Sequence, residues 1–187
     1  EQIQSLPLDA NIQAVKQQFL PAVSFNGVYC NGIVEYSNIT ALDFDHIPSQ
    51  EVYTDLYLHL VAIPCVRNIY RTPSGRGLKA LILHDNTDPS MHCNLYEQLL
   101  RMFSVPYIKT DSSCKDLSRR NYLCYDPDVW SNPSPVPFHF VYDASISSSA
   151  QYKASYSPKQ AKSSTINHVK PVVAIGLPSD ASVMNLL

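Results

Sequence analysis

Asp43 and Asp45 stand two residues apart in the apolar run ITALDFDHI. On an extended strand, side chains at i and i+2 project from one face, which sets these carboxylates about 6.5 to 7 Å apart along the chain. Two acids in an apolar setting are costly unless a cation binds them. Hard divalent cations such as Mg²⁺ or Mn²⁺ take carboxylate oxygens and keep positions open for substrate phosphates, as in two-metal phosphoryl transfer. The bland alternative is a strand end, where one acid caps the next helix or pairs with an arginine. A D-x-D-x-T phosphatase is excluded, because Ile47 stands where its threonine belongs.

A second group follows in Pro73-Ser74-Gly75-Arg76-Gly77-Leu78-Lys79. Gly75 and Gly77 let backbone approach a ligand closely, while Ser74, Arg76 and Lys79 offer a hydroxyl and two cations to phosphate. The spacing is not that of a P-loop. A plain hairpin turn would use the same glycines, but the flanking Arg67 and Arg71 favour an anion site. The third group runs from Asp111 through Lys115, Asp116 and Arg119 to Arg120 and mixes acids, bases and hydroxyls before an apolar strand. Such density in a loop points to binding, with a salt-bridged surface loop as the alternative. Asp126-Pro127-Asp128 with Trp130 reads as a structural turn. The six histidines form no evident cluster: His84 and His92 are separated by a loop and a helix start, and His46 is a candidate helper beside the acidic pair. Five dispersed cysteines without a C-x-x-C pair give neither a disulfide framework nor a zinc site.

The elements that must position these groups are legible from period and punctuation. Residues 10 to 20 read as a helix, and the Asn-Gly pairs at 26–27 and 31–32 mark a hairpin. ITALDFDHI alternates as a strand. Ser49 offers an N-cap to an amphipathic helix carrying Val52, Leu56, Leu60 and Ile63. CVRNIYRT and LKALILH flank the glycine loop as antiparallel strands, and Asp88-Pro89 starts a second helix with Leu95, Leu99, Met102 and Phe103 on its core face. The last strand is either YIKTD, at 107 to 111, or RRNYLCYD, at 119 to 126. The expected fold is α+β: a β-α-β-β-α-β core of the RRM-like or ferredoxin-like type, extended at its N-terminus by a helix and a hairpin.

Length and composition bound the rest. With 187 residues, 45% hydrophobic and 16% charged, the chain can bury one domain's core. The expected division is a domain at 1–143 and a Ser/Lys-rich linker or extension at 144–187, with SNPSPVPF ending the core in an extended exit. No run of about 18 apolar residues and no signal peptide is present, so a cytoplasmic protein without a membrane partner is expected. Glu1 in place of Met suggests a piece of something longer. Net charge is −2, but residues 1–66 balance at −6 and residues 67–120 at +4. An acidic third beside a basic segment fits a metal-binding cluster next to a polyanion groove.

Taken together, LDFDHI, PSGRGLK and DSSCKDLSRRNYLCYDPD, with FLPAVSFNG upstream, resemble the N-terminal domain of VirE-type proteins of Bacteroides mobile elements. That family is placed among the primase-polymerases of the archaeo-eukaryotic primase superfamily. The resemblance implies a metal-dependent nucleotidyltransferase, a DNA primase or polymerase, acting in replication of a mobile element and coupled to a helicase. It implies Mg²⁺ or Mn²⁺ as cofactor, and nucleoside triphosphates with single-stranded DNA or other nucleic acid as partners. It makes Asp43, Asp45 and Asp111 the metal-binding catalytic acids, with Asp116 as fallback for the third. Ser74, Gly75, Arg76, Gly77 and Lys79 would hold the nucleotide phosphates, and Lys115, Asp116 and Arg119 would line the substrate site. The superfamily's second motif ends in His where this chain has Lys79. A nucleic-acid or nucleotide-binding module without turnover, or a helicase-docking domain, is the alternative.

Overall fold

The computed structural model describes residues 12–29, 33–105, 108, 110 and 112–146. Its elements are α1 (Ile12–Phe19), β1 (Ala22–Val23), β2 (Gly27–Tyr29), β3 (Ile33–Tyr36), β4 (Ile39–Phe44), α2 (Gln50–Val61), β5 (Val66–Arg71), β6 (Leu78–Leu83), α3 (His92–Met102), β7 (Asn121–Tyr122) and β8 (Trp130–Ser131). The protein is α+β.

Strand alternation decides which side chains are sealed. In β4 and β6, Leu42, Phe44, Leu78, Ala80 and Ile82 turn to one face and are almost wholly buried, with Val66 and Ile69 of β5 beside them. Leu56 and Leu60 of α2 and Leu95, Tyr96 and Leu99 of α3 close that face. Each fully buried Leu, Ile or Phe contributes about 1.5 to 3 kcal/mol. α2 starts where expected, since Ser49 accepts a hydrogen bond from the Val52 amide at 3.2 Å. Asp88 caps the 3₁₀ turn Pro89–Met91, which runs on into α3. Met102 is exposed, contrary to expectation, because the helix ends there and Phe103, just past it, takes the buried place.

The main sheet has the order β4-β6-β5-β8. β6 is antiparallel to both neighbours, so β4 and β5 run in the same direction on either side of it, joined through α2. On the other edge of β4, Thr110 bridges Phe44 in antiparallel sense. The alternative last strand at 119–126 supplies β7, which pairs with β1 in a separate ribbon, not with the main sheet.

β2 and β3 form the expected hairpin. Gly27 opens it at φ +141, and a Cβ there would fall 1.9 Å from the Glu35 carbonyl oxygen, so only glycine fits. The Asn31-Gly32 pair lies outside the described residues. The proline-rich stretch does not leave the core. Val136 donates to the Pro64 carbonyl, Phe138 donates to Leu83, and Phe138 and Phe140 pack against the core cluster. Prolines lack a donor but sit comfortably along a sheet edge, where the residues between them supply the amides. Asn94 then ties the chain down by donating to the Asp143 carbonyl at 2.9 Å. The expected linker beyond 146 lies outside the described residues.

Candidate functional site

The strand register builds the site on the face opposite the helices. Asp43 stands across from Lys79, and Lys79 across from Tyr70, so three polar side chains form one row over β4, β6 and β5. Their neighbours Leu42, Phe44, Leu78, Ala80 and Ile69 point the other way into the core. The Lys79 ammonium contacts Asp43 Oδ1 and donates a 2.8 Å hydrogen bond to Asn121 Oδ1 of β7. Side-chain exposure is 5% for Lys79 and 14% for Asp43, so water screens this pair little. Asp43 Oδ1 receives charge but no well-directed hydrogen bond, and Cys114 Sγ lies 3.7 Å from Oδ2. The Tyr70 hydroxyl is buried without a partner. Burial, followed by the charge of Asp43, pushes its pKa up.

β4 ends at Phe44, so Asp45 lies one residue beyond the strand, and the even strand geometry expected for the pair stops between them. His46 follows with φ +58, in the left-handed region that a non-glycine residue seldom takes. The glycine loop closes against this end. Thr72 N donates to Gly77 O at 2.9 Å, Gly75 N to Thr72 O at 2.8 Å, and Ile47 N reaches across to Arg76 O at 3.2 Å. Gly75 adopts φ +71. A Cβ on Gly77 would lie 2.6 Å from Phe44 O, 3.0 Å from Thr72 Oγ1 and 3.1 Å from Asp45 Oδ1. The missing side chain is therefore what lets the Asp45 carboxylate rest against the loop. Partial burial and then the Asp43 charge raise the Asp45 pKa, while Lys79, His46 and Lys16 of α1 oppose the shift. Arg76 is exposed, and Ser74 and Gly75 are half-buried at the loop's tip.

Asp43, Asp45, Ser74, Gly75, Arg76, Gly77 and Lys79 thus gather at one end of the β4–β6 pair. Lys79 differs from expectation: it is drawn inward onto Asp43, because an isolated acid at that depth needs a counter-charge. Asp111 lies outside the described residues. The contacts of Lys115 and Asp116 lead elsewhere, Lys115 to Glu97 of α3 at 3.5 Å and both Asp116 carboxylate oxygens to Ser118. Arg119 has its amide on the Asp116 carbonyl, two residues before Asn121 enters β7. The Asp126-Pro127-Asp128 turn holds Arg71, whose amide donates to Asp126 and whose guanidinium pairs with Asp128.

Among the described residues, no three His, Cys, Asp or Glu side chains stand together as an ion's ligands. The donor set still fits Mg²⁺ or Mn²⁺, which bind through one or two carboxylates and complete their shell with water and substrate phosphate. Asp43 Oδ1, which lacks a directed hydrogen bond but already meets the Lys79 ammonium, and Asp45 beside it are the oxygens that would hold such an ion.

Sequence spacing concealed a second polar cluster on the helix side of the sheet. His84, just past β6, and His92, first in α3, both lie against Tyr36 of β3, with ring centroids 5.8 and 5.7 Å from it. Tyr36 Oη is 2.8 Å from His92 Nδ1 and accepts from Asn86 Nδ2 at 3.2 Å. Both His84 ring nitrogens and His92 Nε2 are buried without a partner, and burial pushes each histidine's pKa down to about 4. Only the fold brings these residues together, across 56 positions.

The family model described as BT4734-like, N-terminal domain, matches residues 11–130, which is more than half of the chain. The chain belongs to this family. No curated protein and no solved structure matches it. Among the described residues, no helix is long and apolar enough to cross a membrane.

Proposed function

We propose that this member of the BT4734-like N-terminal domain family is a metal-dependent nucleotidyltransferase domain of the primase-polymerase kind. It acts on nucleic acid in replication of a mobile element and is coupled to a helicase. The family description carries no activity, so the reading rests on the site and on the motif resemblance. The observation that carries it is the closure of the 72–77 loop on the acidic pair, with Gly77 against Asp45 and Lys79 against Asp43. Strand order supports it as well. The order β4-β6-β5, with Thr110 bridging the free edge of β4, is compatible with the ferredoxin-like core that the resemblance implies.

In this reading Asp43 and Asp45 hold Mg²⁺ or Mn²⁺, which when bound supplies charge neutralisation at the triphosphate and lowers the pKa of the attacking hydroxyl. Ser74, the loop backbone and exposed Arg76 bind the phosphates of the nucleoside triphosphate. Lys79 adds a point charge. Arg119, near β7, serves the incoming nucleotide or the single-stranded template.

A binding module without turnover is the second reading, favoured by the ion pair that already engages Asp43. The deciding experiment incubates the domain with Mn²⁺ or Mg²⁺, labelled nucleoside triphosphates and single-stranded DNA, beside an Asp43→Asn/Asp45→Asn double variant. Template-dependent products lost in the variant are expected. Nucleotide binding without product in the wild type would favour the binding module instead.

A further inference from the structure

The buried Asp43–Lys79 pair has a consequence for how the site is filled. An ammonium held on a carboxylate competes with any cation that needs the same oxygen. Here the competitor is covalently tethered, 5% exposed, aligned by the β4–β6 register, and fixed from behind by Asn121 at 2.8 Å. Tyr70 stands across from it on β5, and its buried hydroxyl has no hydrogen-bond partner and offers the ammonium no competing charge. A bare divalent cation must therefore displace an ammonium from a poorly hydrated carboxylate. A cation arriving with a polyphosphate faces a smaller cost, because the phosphate offers the displaced ammonium a new anionic partner.

We propose that Lys79 is a resident counter-cation that holds Asp43 neutralised and makes the acidic pair discriminate against bare metal. The inference rests on the metal-binding reading of Asp43 and Asp45, and it assigns to Lys79 a regulatory part in that reading. Removing the ammonium removes the competitor, so metal affinity rises although a positively charged residue next to the phosphates is lost. A lysine that served only to bind phosphate would leave the affinity for bare metal unchanged. One that served only to hold the fold would lower it when replaced.

The test titrates Mn²⁺ alone, with no nucleotide, into wild type, Lys79→Gln and Lys79→Met, following free Mn²⁺ by electron paramagnetic resonance. Lys79→Gln keeps a donor for Asn121 and guards against a variant that fails to fold; far-ultraviolet circular dichroism confirms the fold of each. Tightening of Mn²⁺ binding by about tenfold or more in the neutral variants is expected, since an adjacent charge at low screening commonly shifts an equilibrium by that much. Adding Asp43→Asn should cancel the gain. A second readout is thermal: Mn²⁺ should raise the melting midpoint of Lys79→Gln more than that of wild type, because it replaces a missing counter-charge. Equal or weaker Mn²⁺ binding by folded Lys79→Gln, with wild type binding measurably, overturns the counter-cation role and leaves the metal reading standing. No binding by any variant at millimolar Mn²⁺ overturns both.

Discussion

At the residue scale, Asp45 separates function from stability. Its pKa is raised by partial burial and by Asp43, so in the folded protein its charge is less favourable than in the unfolded chain. Asp45 is solvent-exposed, so water screens much of the effect, but its direction holds. At neutral pH the ionised carboxylate costs a little stability, and protonation on acidification relieves that cost. Asp45→Asn should therefore melt at a higher temperature than wild type while losing template-dependent synthesis. A variant that melts lower would show that the carboxylate is a structural partner of the 72–77 loop. Gly77→Ala tests the same contact from the other side. Its new Cβ would meet the Phe44 carbonyl oxygen at 2.6 Å, a backbone atom that moves only with β4. A loss of about 1 to 3 kcal/mol in denaturant unfolding is expected, as for overpacked sites. The acidic pair and the glycines were legible in the sequence because each is a local pattern. The depth of Lys79 was not, since it depends on pairing 36 positions away in β4, and a run such as LKALIL does not say which alternate side chain meets an acid.

At the element scale, the helices and long strands follow from local signals that agree with one another. Ser49 supplies its cap, Leu56 and Leu60 supply the buried stripe of α2, and no strong helix breaker interrupts Gln50–Val61. Ser49→Ala should cost about 1 kcal/mol by loss of the Val52 amide's partner, read as a lower denaturant midpoint with unchanged slope. What was hidden at this scale are β1 and β8, two-residue strands too short to show a period. β7 falls inside the strand read at 119–126, but its pairing with β1 in a separate ribbon has no local signal. The same holds for residues 131–146: prolines announce an extended chain but not whether it departs or runs back along a sheet. Here the sheet edge at Pro64, Leu83 and Asp85 receives it, and two buried-side phenylalanines, Phe138 and Phe140, repay the ordering of the segment.

At the scale of the whole molecule, the two faces of the main sheet carry polar groups for opposite reasons. On the outer face Asp43 and Lys79 are charged and compensate each other. On the helix face His84 and His92 are buried 1% and 0% exposed, and are tolerated only as neutral rings, with Tyr36 and Asn86 as polar company and the Asp85 and Asp116 charges too weak to reverse the effect of burial. Their folded pKa of about 4 lies below the ordinary 6.5, so the unfolded chain binds more protons between those values. Stability from this source is complete above about pH 6.5 and is lost as pH falls toward 4, at roughly 1.4 kcal/mol per pH unit for each histidine inside the window. Because the pair knits β3, the end of β6 and the start of α3 together, the loss should appear as cooperative unfolding of the whole domain. Urea unfolding at pH 7, 6 and 5 should show a falling midpoint, and replacing both histidines by Gln should flatten that fall even if it lowers the value at pH 7. An acid limb that persists undiminished in the double variant would assign the pH dependence to other groups.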